Sequence, residues 1–205
     1  MTRILNPEAI EAESFRIIES ELGPHSFSPD EFAIVQRAIH STADFDFART
    51  IRFHPAAIRS GLKAIRAGRN IVADVQMIQA GISKAGLKKF GGDVLCFIGD
   101  EDVTTKAKAA GVTRAIMSMR KAAELGSGAI YAIGNAPTAL LELTRLADVA
   151  KPALVVGVPV GFVSAAESKD ELAQTNLPFI TALGRKGGTP VAVSIMNALI
   201  RLAGA

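Results

Sequence analysis

The feature that most constrains this chain is a regular alternation, from about residue 49 onward, of short apolar runs and helical segments. The run Ala153-Leu154-Val155-Val156-Gly157-Val158 has no polar alternation at all, which is how a strand covered on both faces reads. Shorter β-rich runs lie at Ile51–Phe53, Asn70–Ala73, Val94–Ile98, Gly128–Ile133 and Phe179–Ala182. Between them, helical segments are expected over Pro55–Ala67, Val75–Ile82, Val103–Ala110, Arg114–Leu125, Pro137–Ala147, Ala165–Gln174 and Pro190–Leu202. Strand and helix in turn build βα units. The expected fold is therefore α/β, with a mainly parallel, doubly wound sheet between two helical layers. At 205 residues, with no internal repeat and no linker, one domain over 1–205 is the economical organisation.

Two extra helices are expected before that alternation. Asn6-Pro7-Glu8 reads as a cap, and Ile10, Ser14, Ile17, Ile18 and Leu22 keep helical spacing up to Gly23-Pro24. Ser14 sits on the apolar stripe, so its hydroxyl either bonds its own helix four residues back or faces a ligand. Ser28-Pro29-Asp30-Glu31 is a capping box with Pro at the first helical position, and Phe32, Val35 and Ile39 form the stripe behind it. Gln36, Arg37 and His40 fall together on a neighbouring face. Asp44 and Asp46 follow closely enough to orient or repel the imidazole. A titratable ring near a helix end, with a cation and two carboxylates nearby, is a candidate proton donor at neutral pH. The blander alternative is a surface or satisfied core histidine.

Bulk properties remove several classes. The net charge of +3 is too mild for a nucleic-acid footprint, and no basic run is interleaved with aromatics. No apolar stretch reaches the roughly 20 residues of a spanning helix, and the charged start through Arg3, Glu8, Glu11 and Glu13 does not read as a signal peptide. The lone Cys96 cannot form an internal disulfide, which suits a cytoplasmic protein, and its apolar setting reads as packing. His25, His40 and His54 lack metal-ligand spacing, so no metal is expected. No GxSxG elbow, phosphate loop or GxGxxG is present.

Ligands of such sheets bind at the carboxyl ends of the strands. Three loops there are glycine-rich: Gly134-Asn135-Ala136-Pro137, Gly157-Val158-Pro159-Val160-Gly161-Phe162-Val163, and Gly184-Arg185-Lys186-Gly187-Gly188-Thr189-Pro190. Each opens a helix whose first N–H groups are free to meet an anion, although tight turns need glycine for geometry alone. Ser164 to Glu167 reads as a second capping box, and Thr189 as a cap before Pro190. Asp74, Asp100 and Asp102 read as turn and cap residues.

These motifs together resemble the precorrin-8X methylmutase family. The resemblance rests on Ile39-His40-Ser41-Thr42-Ala43-Asp44-Phe45-Asp46, the three glycine loops, and Glu167-Ser168-Lys169, and it spans nearly the whole chain. It implies a flavodoxin-like three-layer fold, a homodimer, and an isomerase of cobalamin biosynthesis that moves a methyl group from C-11 to C-12 of a corrin precursor. It assigns His40 as catalytic proton donor and Ser14 and Arg37 as substrate contacts. The acid-fringed tetrapyrrole would then meet Thr42, Asn135, Gly161, Phe162, Arg185, Lys186 and Gly187, with Phe162 or Phe45 under the ring. No cofactor is expected, since any cobalt would arrive inside the substrate. The segments around Thr42 and Lys186 look more like the cobalt branch. A tetrapyrrole carrier, or an enzyme using Arg185 and Lys186 on a phosphorylated metabolite, fits the same residues.

Overall fold

Residues 130 to 133 are buried throughout, yet they feed two different cores. Ile130 and Ala132 join one apolar cluster, while Tyr131 and Ile133 join another. Leu154 and Val156 likewise divide from Val155. Successive strand residues point to opposite faces, so a strand apolar at every position must be covered on both sides. The computed structural model, which describes residues 6–124 and 128–205, has this arrangement.

Six strands form one sheet: β1 (Ile51–Phe53), β2 (Ile71–Ala73), β3 (Val94–Leu95), β4 (Ile130–Ile133), β5 (Leu154–Gly157) and β6 (Phe179–Ala182). Their order is β1-β6-β5-β4-β2-β3. All neighbours are parallel except β1, which runs antiparallel to β6 with Ile51 opposite Ala182. The chain leaves β2 for one edge, then crosses back to β4. That reversal is the topological switch point of a doubly wound sheet.

One face is covered by α1 (Pro7–Leu22), α2 (Pro29–Thr42), α3 (Asp46–Thr50), α4 (Ala57–Arg66), α5 (Gln76–Gly81), α6 (Lys84–Lys88) and, centrally, α12 (Thr189–Gly204). On the other face are α8 (Arg114–Ala123), α9 (Pro137–Arg145), α10 (Ala147–Ala150) and α11 (Ala165–Ala173), with α7 (Glu101–Ala110) against α8. Helix α2 packs on α12, and α1 lies outside on α2. The expected helix over Arg114–Leu125 ends at Ala123, and Leu125 lies outside the described residues. None of the described helices is long and apolar enough to cross a membrane.

The caps of the first two helices are as their sequences dictate. Asn6 accepts from the Ala9 amide at 3.0 Å, and Ser28 and Glu31 close a full capping box. The other two expected caps are absent. Ser164 adopts a left-handed conformation (φ 59°) with no side-chain cap, and Thr189 is already inside α12, with Gly188 as its cap residue. Before Thr189, Gly188 is held by the neighbouring loop, its amide donating to the Val158 carbonyl at 2.8 Å. The run expected to continue as strand to Ile98 stops at Leu95. In this register Cys96 falls opposite Ala73, the last residue of β2, so no ladder remains for Phe97 and Ile98.

Candidate functional site

Helix α2 brings His40 to the surface on its last turn because Val35, Ala38 and Ile39 bury the opposite stripe. The imidazole is exposed and lines a cleft of about 910 Å³. Arg37 and Ser41 of α2 form the same wall as His40. The floor is the outer face of α12, with Pro190, Val193, Ser194, Asn197 and Arg201. The far wall is the α6 region, with Ser83, Gly86, Lys89 and Phe90. Asn197 fixes that wall: its Oδ1 accepts from the Ser83 amide at 2.8 Å, and its amide nitrogen donates to the Gly81 carbonyl at 3.1 Å.

Two side chains of α1 control the His40 wall. Phe15 meets the imidazole edge-on, with centroids 5.3 Å apart and planes at 79°, and the Arg37 guanidinium lies 4.9 Å from the centre of the same phenyl ring. Glu11 accepts from Arg37 at 3.1 Å and from Arg201 at 3.2 Å. The Arg37 hydrogen bond, helped by Arg201, holds the Glu11 carboxyl below its ordinary value. Ser14, by contrast, donates to the Ile10 carbonyl at 2.9 Å, the local back-bond that its position allows. It is not among the residues lining the cleft.

Among the described residues, neither Asp44 nor Asp46 makes a hydrogen bond or ion pair with the imidazole. Both carboxylates are taken by Lys186, whose Nζ lies 2.6 Å from Asp44 and 2.7 Å from Asp46. That hydrogen bond depresses the Asp44 carboxyl, and the two carboxylates raise the Lys186 ammonium. The loop after β6 is thus tied to the end of α2. Lys186 is no longer a free cation for a phosphate, which weakens the phosphorylated-metabolite reading. Thr42 is spent locally, donating to Ala38 and accepting from the Asp44 amide.

The three glycine loops pack on one another along the carboxyl edge of the sheet. Gly188 donates to the Val158 carbonyl, and Gly161 donates to the Arg185 carbonyl. A Cβ on Gly187 would overlap the Val158 and Pro159 carbonyls, and one on Gly134 would press against Ala192 and the Gly188 carbonyl. At these two positions glycine serves loop packing. Gly184, at φ 81° with open space around it, serves backbone conformation. Phe162 is 86% exposed beneath the Arg185 guanidinium, 5.6 Å from its ring centre, and Asn135 is exposed too. None of Asn135, Gly161, Phe162, Arg185 and Gly187 lines the His40 cleft. Lys186 joins their edge to the segment just past His40.

Two buried charges hold these loops. The Asp74 carboxylate, fully buried at the switch point, accepts from the amides of Gly134, Asn135 and Ala136 at 3.2, 3.0 and 2.8 Å. Burial pushes its carboxyl up, and the three amides pull it back. The anion-binding capacity of that loop is therefore used internally. Lys169, also fully buried, donates to the Lys186 carbonyl at 2.7 Å, and burial lowers its ammonium to about 8. Asp100 and Asp102 pair with Lys121 and make no side-chain cap.

Sequence reasoning gave no role to Asn197 and Arg201 and none of its own to Lys169, and it read Asp74 as a turn and cap residue, which matches its bonds to the amides before α9. Asn197 and Arg201 had a signal, since they stand four apart on a mostly apolar helix. Among the described residues, no group of three or more His, Cys, Asp or Glu is placed to hold a metal ion.

Against known proteins, residues 9–202 match the family model described as CbiC, precorrin-8X methylmutase. The chain is 55% identical over 201 residues to the cobalt-precorrin-8 methylmutase of Priestia megaterium, covering 97% of this chain and 89% of that protein. It is 49% identical over 203 residues to the enzyme of the same name from Leptospira interrogans, covering 94% and 92%. The crystal structure of precorrin-8X methyl mutase from Thermus thermophilus superposes with a TM-score of 0.88 at 44% identity, covering 96% of this chain and 98% of that one. On sequence and fold alike, the chain belongs to the precorrin-8X methylmutase family.

Proposed function

We propose that this chain is an isomerase that moves one methyl group from C-11 to C-12 of cobalt-precorrin-8, giving cobyrinic acid, with His40 as proton donor and acceptor. The observation that carries this reading is the exposed His40 imidazole, held edge-on by Phe15 on the wall of a cleft of about 910 Å³. Arg37, Lys89 and Arg201 line that cleft and suit a ring fringed with carboxylates. The names of the two relatives given above favour the cobalt-bearing substrate over metal-free precorrin-8X.

In this mechanism His40 lends a proton to the macrocycle and draws electron density away from the migrating centre. The methyl group then shifts with its bonding pair in a 1,5-sigmatropic step, the bond to C-11 breaking as that to C-12 forms. The proton returns to the imidazole as the corrin conjugation is established. Substrate and product are isomers, so the balance needs no co-reactant, and cobalt belongs to the substrate. Protonation by a positioned acid contributes about 10²–10⁴ in rate, and the rest falls to holding the ring's shape and charge. Ser14 would join through a change of rotamer. Asn135, Gly161, Phe162, Arg185 and Gly187, outside the cleft, would meet only substituents that reach the sheet edge, and Thr42 and Lys186 would join them on exchanging their present partners. The same reading has the chain working as one domain over 1–205, as a homodimer in the cytoplasm, and not on nucleic acid or a membrane.

The test is conversion followed by the absorption spectrum of the corrin product. Wild type converts cobalt-precorrin-8, whereas His40→Ala loses turnover but keeps product affinity within about tenfold, 1.4 kcal/mol. Turnover of His40→Ala at the wild-type rate overturns the proton-transfer role. Tight binding by the wild type without any conversion makes the chain a tetrapyrrole carrier instead.

A further inference from the structure

Arg201 belongs to α12, but its setting is made by three helices. It lines the His40 cleft, and together with Arg37 it also lines an adjoining hollow of about 240 Å³ next to Phe15, Gln36 and Leu202. The two arginines therefore form the wall shared by both spaces. They stand together because one carboxylate, Glu11 of α1, accepts from Arg37 with both oxygens, at 3.1 and 3.4 Å, and from Arg201 with Oε2, at 3.2 Å. Two guanidiniums thus share one side-chain carboxylate on this wall. The pair differ in freedom: the Arg37 side chain is 17% exposed and that of Arg201 is 60% exposed. Arg37 spends both terminal nitrogens on Glu11, while Arg201 gives it a single N–H and, among the described residues, makes no other side-chain hydrogen bond. A guanidinium with open, coplanar donors is matched to a carboxylate.

We propose that Arg201 is a substrate-binding residue that grips a side-chain carboxylate of the tetrapyrrole on the wall between the two hollows, with Glu11 positioning Arg201 and Arg37 for that grip. This rests on the function proposed above and adds to it the residue that reads the acidic fringe.

The probe is cobyrinic acid, compared with its fully methyl-esterified form, which has the same ring and no carboxylate charge. In Arg201→Gln the Kd for the acid rises about tenfold while that for the ester stays within twofold of wild type. Arg201→Lys falls between, because it keeps charge and loses the fork. Glu11→Gln weakens the acid selectively as well, since the guanidiniums lose their common anchor. Raised salt narrows the gap between wild type and Arg201→Gln. Equal loss of acid and ester affinity in Arg201→Gln, or an acid Kd within twofold of wild type, overturns the assignment. A wild-type chain that converts cobalt-precorrin-8 while Arg201→Gln binds normally sinks this inference alone. A wild type that neither converts nor binds sinks the proposed function and this inference with it.

Discussion

Phe15 of α1 stands edge-on to His40 of α2, with ring centroids 5.3 Å apart, and the same phenyl ring carries the Arg37 guanidinium on its other contact at 4.9 Å. One aromatic side chain thus sets the attitude of the proposed acid and of its neighbouring cation. Edge-to-face aromatic pairs are worth about 0.5–1.5 kcal/mol beyond area burial. Phe15→Leu keeps apolar bulk and removes that orientation. Turnover should fall up to about tenfold, with the unfolding midpoint little changed. Unaltered turnover would show that Phe15 does not orient the imidazole.

Lys169 makes stability depend on pH in an unusual direction. Its ammonium is lowered from 10.5 to about 8, so between those values the unfolded chain binds more protons than the folded one. Stability contributed by this group therefore rises with pH across that window, and is lowest below it. The free energy of wild type relative to Lys169→Met should rise by roughly 2–3 kcal/mol between pH 7.5 and 10.5. Urea unfolding at the two pH values measures it. Parallel pH profiles for the two proteins would refute the buried charge.

Asp74→Ala leaves the Gly134, Asn135 and Ala136 amides without their acceptor in a buried place. The expected loss is about 3 kcal/mol or more. Asp74→Asn, which retains one carbonyl oxygen, should cost distinctly less. Equal losses from both variants in equilibrium unfolding would mean that the carboxylate does not hold the loop.

Gly187→Ala drives a methyl group into the Val158 and Pro159 carbonyls, which are backbone and cannot rotate away. Separating these loops should cost about 2 kcal/mol, visible as a fall of several degrees in Tm. A midpoint within one degree or so of wild type would show that the loops can part freely.

Much of the frame is legible in the sequence because burial on both faces leaves so plain a mark. Leu154 to Gly157 and Ile130 to Ile133 have no solvent-facing side to break the apolar run, and both are strands. The same mark overextends β3, since Phe97 and Ile98 still pack apolar surface after the ladder has ended. His40 and its neighbours are legible because capping and helical spacing are local. Lys186 and Asp44 are 142 residues apart, and Asp74 reaches loop amides at least 60 residues away. No local pattern announces such pairs. Which face of α12 stays open is likewise decided by the packing of α2 and α6, so the floor of the cleft emerges only from the tertiary arrangement.

The two borders of the sheet are a three-residue strand on one side and a two-residue strand on the other. Neither offers a backbone ladder long enough for a second copy to extend, a common safeguard against runaway strand addition. Strand addition at either border would be limited to two or three residues.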